Sequence, residues 1–253
     1  MSWQKRSATT FLAVTVLSLA RMSHAADGHC ARETVERVAR LFSSESSIAT
    51  VQMQISGEDA KRNLSMKIWS RGEKVLVRIS SPQDEAGTAI LKVGSDIWYY
   101  LTKANRTVKM STSTAMTSWM GSDFTIDDLL TENVLTRDYT ISLSFEGKRG
   151  GVGVCEYALR PKPEAVVVWG EIVLQIRQAD SVPTWRGYYD EDGKLVRELT
   201  FSEYKSLSGR IIPTRLVMRT ADKADAQTTI EYEDIAFDVP ISEGIFSLAN
   251  LKR

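Results

Sequence analysis

The fold is decided first in residues 64–79, which read LSMKIWSRGEKVLVRI. Apolar side chains occupy every second position on either side of a polar turn, at Leu64, Met66, Ile68, Val75, Val77 and Ile79. A period of two is typical of a strand with one buried face, and the polar residues between the runs favour a turn. This stretch therefore predicts a hairpin of two antiparallel strands.

The same period continues through most of the chain. Two runs, 88–93 and 97–101, are apolar on both faces and predict strands in the centre of a sheet. Further strands are predicted at 51–55, 106–110, 139–145, 153–160, 172–177, 185–189, 195–204, 212–218 and 228–237. About a dozen short strands at this spacing indicate a large antiparallel sheet or an open barrel, and so large a sheet must curl or close.

Two segments depart from this period. Residues 31–46 carry apolar side chains at helical spacing and predict an amphipathic helix, whereas 111–130 predicts short helices and loops. Each has an apolar side to bury, so we expect both to cover the concave face of the sheet. The predicted fold is mainly β (α+β), with a single domain over residues 26–253, because no composition shift or linker divides the chain.

The N-terminus has the features of a secretory signal. Lys5 and Arg6 precede the apolar run 11–20, and Ala25 completes a small-residue cleavage motif. The run is shorter than the roughly 20 residues that span a bilayer, which disfavours a retained anchor. We therefore expect residues 1–25 to be removed and the mature chain to reside in the periplasm.

The charge of the chain limits the classes of binding partner, and its two cysteines leave the presence of a disulfide open. Without residues 1–25, the chain has 29 basic and 32 acidic residues, interspersed along the sequence, so nucleic-acid binding is not expected. The residues before Cys30 do not fit a lipoprotein signal, and lipidation is rejected. Cys30 and Cys155 either form a disulfide in the oxidising compartment or remain two separate thiols.

The residues for enzymatic chemistry are largely missing. The chain has two histidines, His24 in the predicted signal and His29 close behind it, so a Ser-His-Asp or Cys-His arrangement lacks its base. Imidazole-based zinc sites and phosphate-binding loops are not expected either, and we predict no enzyme, metal or cofactor. Asp123 is predicted to cap a short helix over 126–130, and 190–193 reads as a hairpin turn.

Methionine and aromatic side chains are the candidates for a binding surface. Methionine adapts to many apolar shapes and suits the lining of a cavity, although such residues also serve as ordinary core. The candidate residues for an apolar cavity and its lid are Met53, Met66, Trp98, Tyr100, Met116, Trp119, Met120 and Phe124.

Several of these residues lie in recognisable motifs. Residues 93–101 read VGSDIWYYL and 118–124 read SWMGSDF, with shorter matches at 168–170 (VWG), 188–190 (YYD), 212–215 (IPTR) and 231–234 (EYED). With these motifs the sequence resembles the bacterial family of outer-membrane lipoprotein-sorting proteins, relatives of the periplasmic carrier LolA. The resemblance covers essentially the whole mature chain.

The resemblance implies a fold and a function. The fold is an unclosed β-barrel, a strongly curved antiparallel sheet with short helices on its concave face. The function is that of a monomeric periplasmic carrier, which holds the acyl chains of a lipoprotein or another lipid between an inner-membrane transporter and an outer-membrane acceptor. The alternative is an envelope interaction module that docks a transporter or outer-membrane assembly and binds no lipid.

Overall fold

The structure is a computed structural model that describes residues 30–57, 61–130, 134–165, 167–223 and 226–252. The predicted signal peptide, residues 1–25, lies outside these ranges. Among the described residues, no helix has the length and apolar character needed to cross a lipid bilayer.

Thirteen strands form one antiparallel sheet. Their bounds are β1 Ser46–Ser56, β2 Lys61–Arg71, β3 Lys74–Ser81, β4 Ala89–Val93, β5 Asp96–Leu101, β6 Arg106–Met110, β7 Tyr139–Arg149, β8 Val152–Pro161, β9 Glu171–Arg177, β10 Pro183–Tyr189, β11 Leu195–Leu207, β12 Arg210–Thr220 and β13 Gln227–Phe237. The predicted hairpin at 64–79 is confirmed, with Ile68 opposite Val77 across β2 and β3.

The order of the strands explains why the sheet stays open. It runs β6-β5-β4-β3-β2-β1-β13-β12-β11-β10-β9-β8-β7, so each hairpin adds a neighbour and β1 joins the two halves through β13. The end strands β6 and β7 do not pair with each other. The prediction of a curved, unclosed antiparallel sheet with short helices is confirmed.

The helices are shorter than the sequence suggested. The first helix, α1, covers Arg32–Ala39 rather than 31–46, because the chain turns at Arg40 and enters β1 at Ser46. Three short helices, α2 (Thr112–Ala115), α3 (Ile126–Leu130) and α4 (Val134–Arg137), lie between β6 and β7 in the chain. A fifth helix, α5 (Leu248–Leu251), follows a 3-10 turn at Glu243–Phe246.

Apolar side chains form one cluster on each face of the sheet. The inner cluster joins residues of nearly all strands to α1 and to the chain between β6 and β7. The outer cluster is smaller and packs Phe246 and Leu251 of the C-terminal segment against Leu76 and Leu91 of β3 and β4. This outer layer was not predicted from the sequence.

The structure also answers the question about the cysteines. Cys30 and Cys155 form a disulfide that links residues 125 positions apart, with their Cα atoms 5.5 Å from each other. It fastens the start of α1 to β8, where the Tyr157 hydroxyl donates a hydrogen bond to the Ala31 carbonyl at 3.2 Å.

Candidate functional site

The chain between β6 and the end of α3, residues 111–130, is the cover segment. Its apolar side chains point into the inner cluster, where Trp119 is 1% exposed and Phe124 is 4% exposed. Ile126 and Leu130 of α3 are buried in the same cluster. The segment predicted to cover the concave face therefore packs on it, and it fills that face with its own side chains.

The structure brings most of the predicted lining residues together. Met53 of β1 and Met66 of β2 lie on the inner face and are 1% and 0% exposed. Trp119 and Phe124 reach the same cluster from the cover segment, and Met120 packs against it. Met116, directly after α2, is half-buried.

Trp98 and Tyr100 were assigned to the wrong face. Both lie in the outer cluster, and the Tyr100 hydroxyl donates a hydrogen bond to Asn105 at 3.1 Å. Their strand neighbours Ile97 and Tyr99 belong to the inner cluster instead. The two-residue repeat of a strand correctly places Trp98 and Tyr100 on the same face. This strand is apolar on both faces, however, so the repeat does not indicate which face is concave.

The open cavity expected from the sequence is not present along these residues. Met53, Met66 and Trp119 would be accessible if they lined open space, and all three are at most 1% exposed. Two pockets formed by the described residues lie on the surface, one beside Arg71 and Lys74 and the other along residues 242–250. The inner face is closed in this structure.

Polar contacts of Met120, Asp123 and Asp128 help to fasten the cover segment to the sheet. Arg62 of β2 donates to the Met120 carbonyl at 2.7 Å. The Asp123 carboxylate accepts from Thr228 of β13 at 2.7 Å and from Thr220 of β12 at 3.0 Å. Arg197 of β11 holds Asp128 of α3 with two hydrogen bonds, at 2.7 and 2.8 Å. The contacts follow the order of the strands, so the segment crosses the sheet from β2 to β11.

Asp123 does not cap α3, contrary to the prediction. The cap is Thr125, whose hydroxyl accepts from the Asp128 amide at 3.1 Å while Asp128 accepts from the Thr125 amide at 2.7 Å. This reciprocal pair is a capping box, which requires a hydroxyl residue three positions before an acidic one. Asp123 lies two residues before this position and anchors the cover segment instead.

This anchor gives Asp123 a measurable contribution to stability. We expect Asp123→Ala to lower the free energy of unfolding by about 1 to 3 kcal/mol, because Thr220 and the fully buried Thr228 lose their acceptor. Chemical denaturation measures the change. Asp192→Ala, at an exposed hairpin, is the matched control and should change stability by less than about 0.5 kcal/mol. Equal effects of the two substitutions would contradict the anchor.

Arg197 is a deeply buried cation among these anchors, with 6% of its surface exposed. Its guanidinium lies 4.7 Å from the ring centre of Trp169 and 4.5 Å from that of Tyr188. Burial alone lowers the pKa of Arg197, but the Asp128 carboxylate outweighs it and the pKa is raised above its usual value. The guanidinium of Arg197 is therefore charged at neutral pH.

The sequence analysis missed Arg197. It stands on β11 two residues before Leu199 and four before Phe201, both of which face the inner cluster. A charged residue in phase with the inward side chains of a strand was a signal for a buried ion pair. Its partner, 69 positions earlier in the chain, was not detectable from periodicity.

A second group of polar atoms surrounds Met120. The Tyr99 hydroxyl donates to the Met120 sulfur at 3.2 Å, and burial raises the pKa of Tyr99. The indole N–H of Trp119 is buried without a hydrogen-bond partner among the described residues. Met120 has a φ of 55° and Gly121 a φ of 77°, so the tip of the cover segment adopts a left-handed conformation that is unfavourable for methionine.

The described side chains do not form a metal site. Among them, no group of three or more His, Cys, Asp or Glu residues is arranged to hold an ion. The carboxylates of the cover segment that face the sheet, Asp123 and Asp128, are engaged by hydrogen bonds to threonine and arginine. The chemistry of the site is therefore that of an apolar surface with a polar rim.

Solved structures share this architecture. A putative outer membrane lipoprotein-sorting protein domain from Vibrio parahaemolyticus is 25% identical and has a TM-score of 0.75, with 87% of this chain and 97% of that chain covered. A LolA superfamily protein from Nitrosomonas europaea is 20% identical, with a TM-score of 0.73 and coverage of 87% and 99%. A DUF1329 family protein from Desulfovibrio piger is 22% identical, with a TM-score of 0.78 and coverage of 87% and 96%.

The fold is that of the LolA-like proteins, and the resemblance noted in the sequence is confirmed. A family model described as uncharacterized protein matches residues 71–253, more than half of the chain, and the chain belongs to that family. Among functionally curated proteins, none matches the sequence.

Proposed function

We propose that this protein is a periplasmic carrier that binds the acyl chains of lipoproteins or other lipids and takes them from the inner membrane towards the outer membrane. The observation that carries the proposal is the cover segment, whose apolar side chains occupy the inner face while polar contacts at the rim hold it in place. The segment then acts as a lid that cargo displaces. No catalytic group is required for this function.

The free energies of acyl-chain burial and of lid opening allow cargo to displace the lid. Each CH₂ group removed from water contributes about 0.8 kcal/mol, so a chain of some 15 such groups contributes on the order of 12 kcal/mol. Opening the lid breaks a few hydrogen bonds and one partly buried ion pair, which together cost several kcal/mol. It also exposes Trp119 and Phe124 unless they pack against the cargo. Lid opening therefore offsets part of the free energy gained by burying the acyl chain, which makes release less costly than it would be from a cavity without a lid.

The proposed compartment and partners follow from the same features. The disulfide between Cys30 and Cys155 is typical of an oxidising compartment and supports export through the predicted signal peptide. An inner-membrane transporter would load the carrier, and an outer-membrane acceptor would receive the cargo. The protein is proposed to act as a monomer, because the inner face is covered by its own chain.

Trp119 is the natural reporter of loading. We expect a lysophospholipid to change the tryptophan emission and to raise the melting temperature by about 5 to 10 °C at one hundred times its Kd, because a ligand that binds the folded state stabilises it by about 2.7 kcal/mol. Fluorescence titration and thermal unfolding measure the two effects.

Two variants give the titration its control. Trp119→Phe should lose the emission change, whereas Trp98→Phe on the outer face should keep it. Mass spectrometry of organic extracts from protein purified from its native host tests the same proposal without a chosen ligand. Absence of lipid in the extract, together with no response to any amphiphile, would support the envelope interaction module instead.

A further inference from the structure

We infer that the cargo carries an anionic head group, which replaces Asp128 on Arg197 when the lid opens. This inference rests on the proposed carrier function and specifies the class of lipid. It concerns the rim of the inner face at β11, where Arg197 lies between the rings of Trp169 and Tyr188.

Some of the groups around Arg197 belong to the sheet, and the others belong to the lid and move away when it opens. Tyr188 belongs to β10, and Trp169, two residues before β9, packs on its ring with the ring centres 5.2 Å apart, so both rings stay with the sheet. The oxygen atoms that Arg197 contacts, the Asp128 carboxylate and the Asp123 carbonyl at 3.4 Å, belong to the lid. Lid opening therefore removes the acceptors and leaves the guanidinium between two aromatic rings.

Asp128 can leave without losing its other contacts. One of its carboxylate oxygens also accepts from the Thr125 amide and hydroxyl, at 2.7 and 2.8 Å, and Thr125 belongs to the same lid. Arg197 has no other anionic partner to keep, because within the described part of the chain it forms no second ion pair. A cation left poorly hydrated and without its partner is costly, so an empty open state is disfavoured.

Arg62 at the opposite end of the lid is a useful contrast. It also loses an acceptor, the Met120 carbonyl, when the lid opens. It retains an ion pair at 3.6 Å with Glu85, which lies between β3 and β4 and is not part of the lid. Arg62 is moreover largely solvated, with 42% of its side chain exposed against 7% for Arg197. The need for an incoming anion is therefore concentrated at Arg197.

The geometry of the pair defines the anion. Arg197 donates through both terminal nitrogens to the two oxygens of Asp128. Phosphate and carboxylate groups accept from a guanidinium in this two-pronged way. Lys223, 3.9 Å from Asp123, adds a second positive charge to the same rim. A phosphate or carboxylate at the head of an acyl chain fits this position while the chain enters the inner face.

The test compares two single-chain lipids that have the same acyl chain. Lysophosphatidylglycerol carries an anionic phosphate, whereas the corresponding monoacylglycerol has the same chain and no charged group. Both are titrated below their critical micelle concentrations into the whole mature protein, and Kd is measured from tryptophan emission and by calorimetry. We expect the anionic lipid to bind at least tenfold more tightly.

Three variants test whether the preference for the anionic lipid depends on Arg197. Asp128→Asn removes the competing carboxylate and should increase the preference severalfold. Asp192→Asn, the matched control, removes the same charge at an exposed hairpin and should leave the preference unchanged. Arg197→Met should reduce the preference to about twofold or less. If Arg197→Met does not fold, the comparison of Asp128→Asn with Asp192→Asn decides.

The outcomes separate this inference from the carrier function. If both lipids bind with equal affinity to the wild-type protein, or if the preference survives Arg197→Met, the inference is overturned while the carrier function stands. Inorganic phosphate should not bind at micromolar concentration, and if it binds Arg197 as tightly as the lipid, the site is one for free anions and the inference fails. If neither lipid binds, the carrier function fails and the inference with it.

Discussion

Reduction of the disulfide between Cys30 and Cys155 should lower the free energy of unfolding by about 4 to 5 kcal/mol. The bond closes a loop across 125 positions of the chain, and a link of that length removes much of the conformational entropy of the unfolded state. The folded state should keep its sheet, because the bond joins only the start of α1 to β8. Denaturant unfolding with and without a reductant measures the loss.

A variant without the thiols separates this effect from nonspecific action of the reductant. The double variant Cys30→Ala and Cys155→Ala should unfold at a lower denaturant concentration than the oxidised wild type and should not respond to the reductant. Hydrogen exchange should locate the change at α1, whose Val35 and Val38 still pack in the inner cluster. An unchanged unfolding midpoint of the reduced wild type would contradict the expected contribution.

Arg197→Met should lower the free energy of unfolding by about 3 kcal/mol and should loosen the lid. The substitution removes one member of a largely buried ion pair, and Asp128, with 18% of its side chain exposed, is left without its cation. Hydrogen exchange over residues 111–130 should rise more than exchange in the central strands. Chemical denaturation and exchange mass spectrometry provide the two measurements.

A double-mutant cycle tests whether the effect belongs to the pair. Asp128→Asn alone also breaks it, and the variant with both substitutions should be less destabilised than the sum of the two single variants. We expect a coupling free energy of about 1 to 3 kcal/mol. Strict additivity would mean that Arg197 acts through its packing on Trp169 and Tyr188 rather than through Asp128.

The sequence predicted the sheet well because its information is local. The alternation at 64–79 and in the later runs identifies strands, and short polar turns make them antiparallel neighbours. The end of α1 was less predictable. Leu41 and Phe42 continue its apolar pattern after the helix has ended, because both pack on the inner cluster from the turn that leads into β1.

The site was predicted only in part. The sequence predicted that Met53, Met66 and Trp119 face one another, and all three lie in the inner cluster. Their role in binding stays a prediction. The anchors of the lid were not predicted, because Asp123 and Arg197 find their partners far away in the chain. Periodicity identifies the face that a residue shares with its neighbours, and it contains no information on which distant polar groups meet there.

The position of the lid in the chain has a mechanical consequence. The lid lies in the stretch that connects β6 to β7, the two end strands of the open sheet. The lid is thus part of the same stretch of chain that joins the two end strands of the open sheet. In the proposed carrier, an arriving cargo that pushes on the lid would pull along the backbone on both end strands, which do not pair with each other. Opening of the lid would then be coupled to a widening of the interior between these two strands.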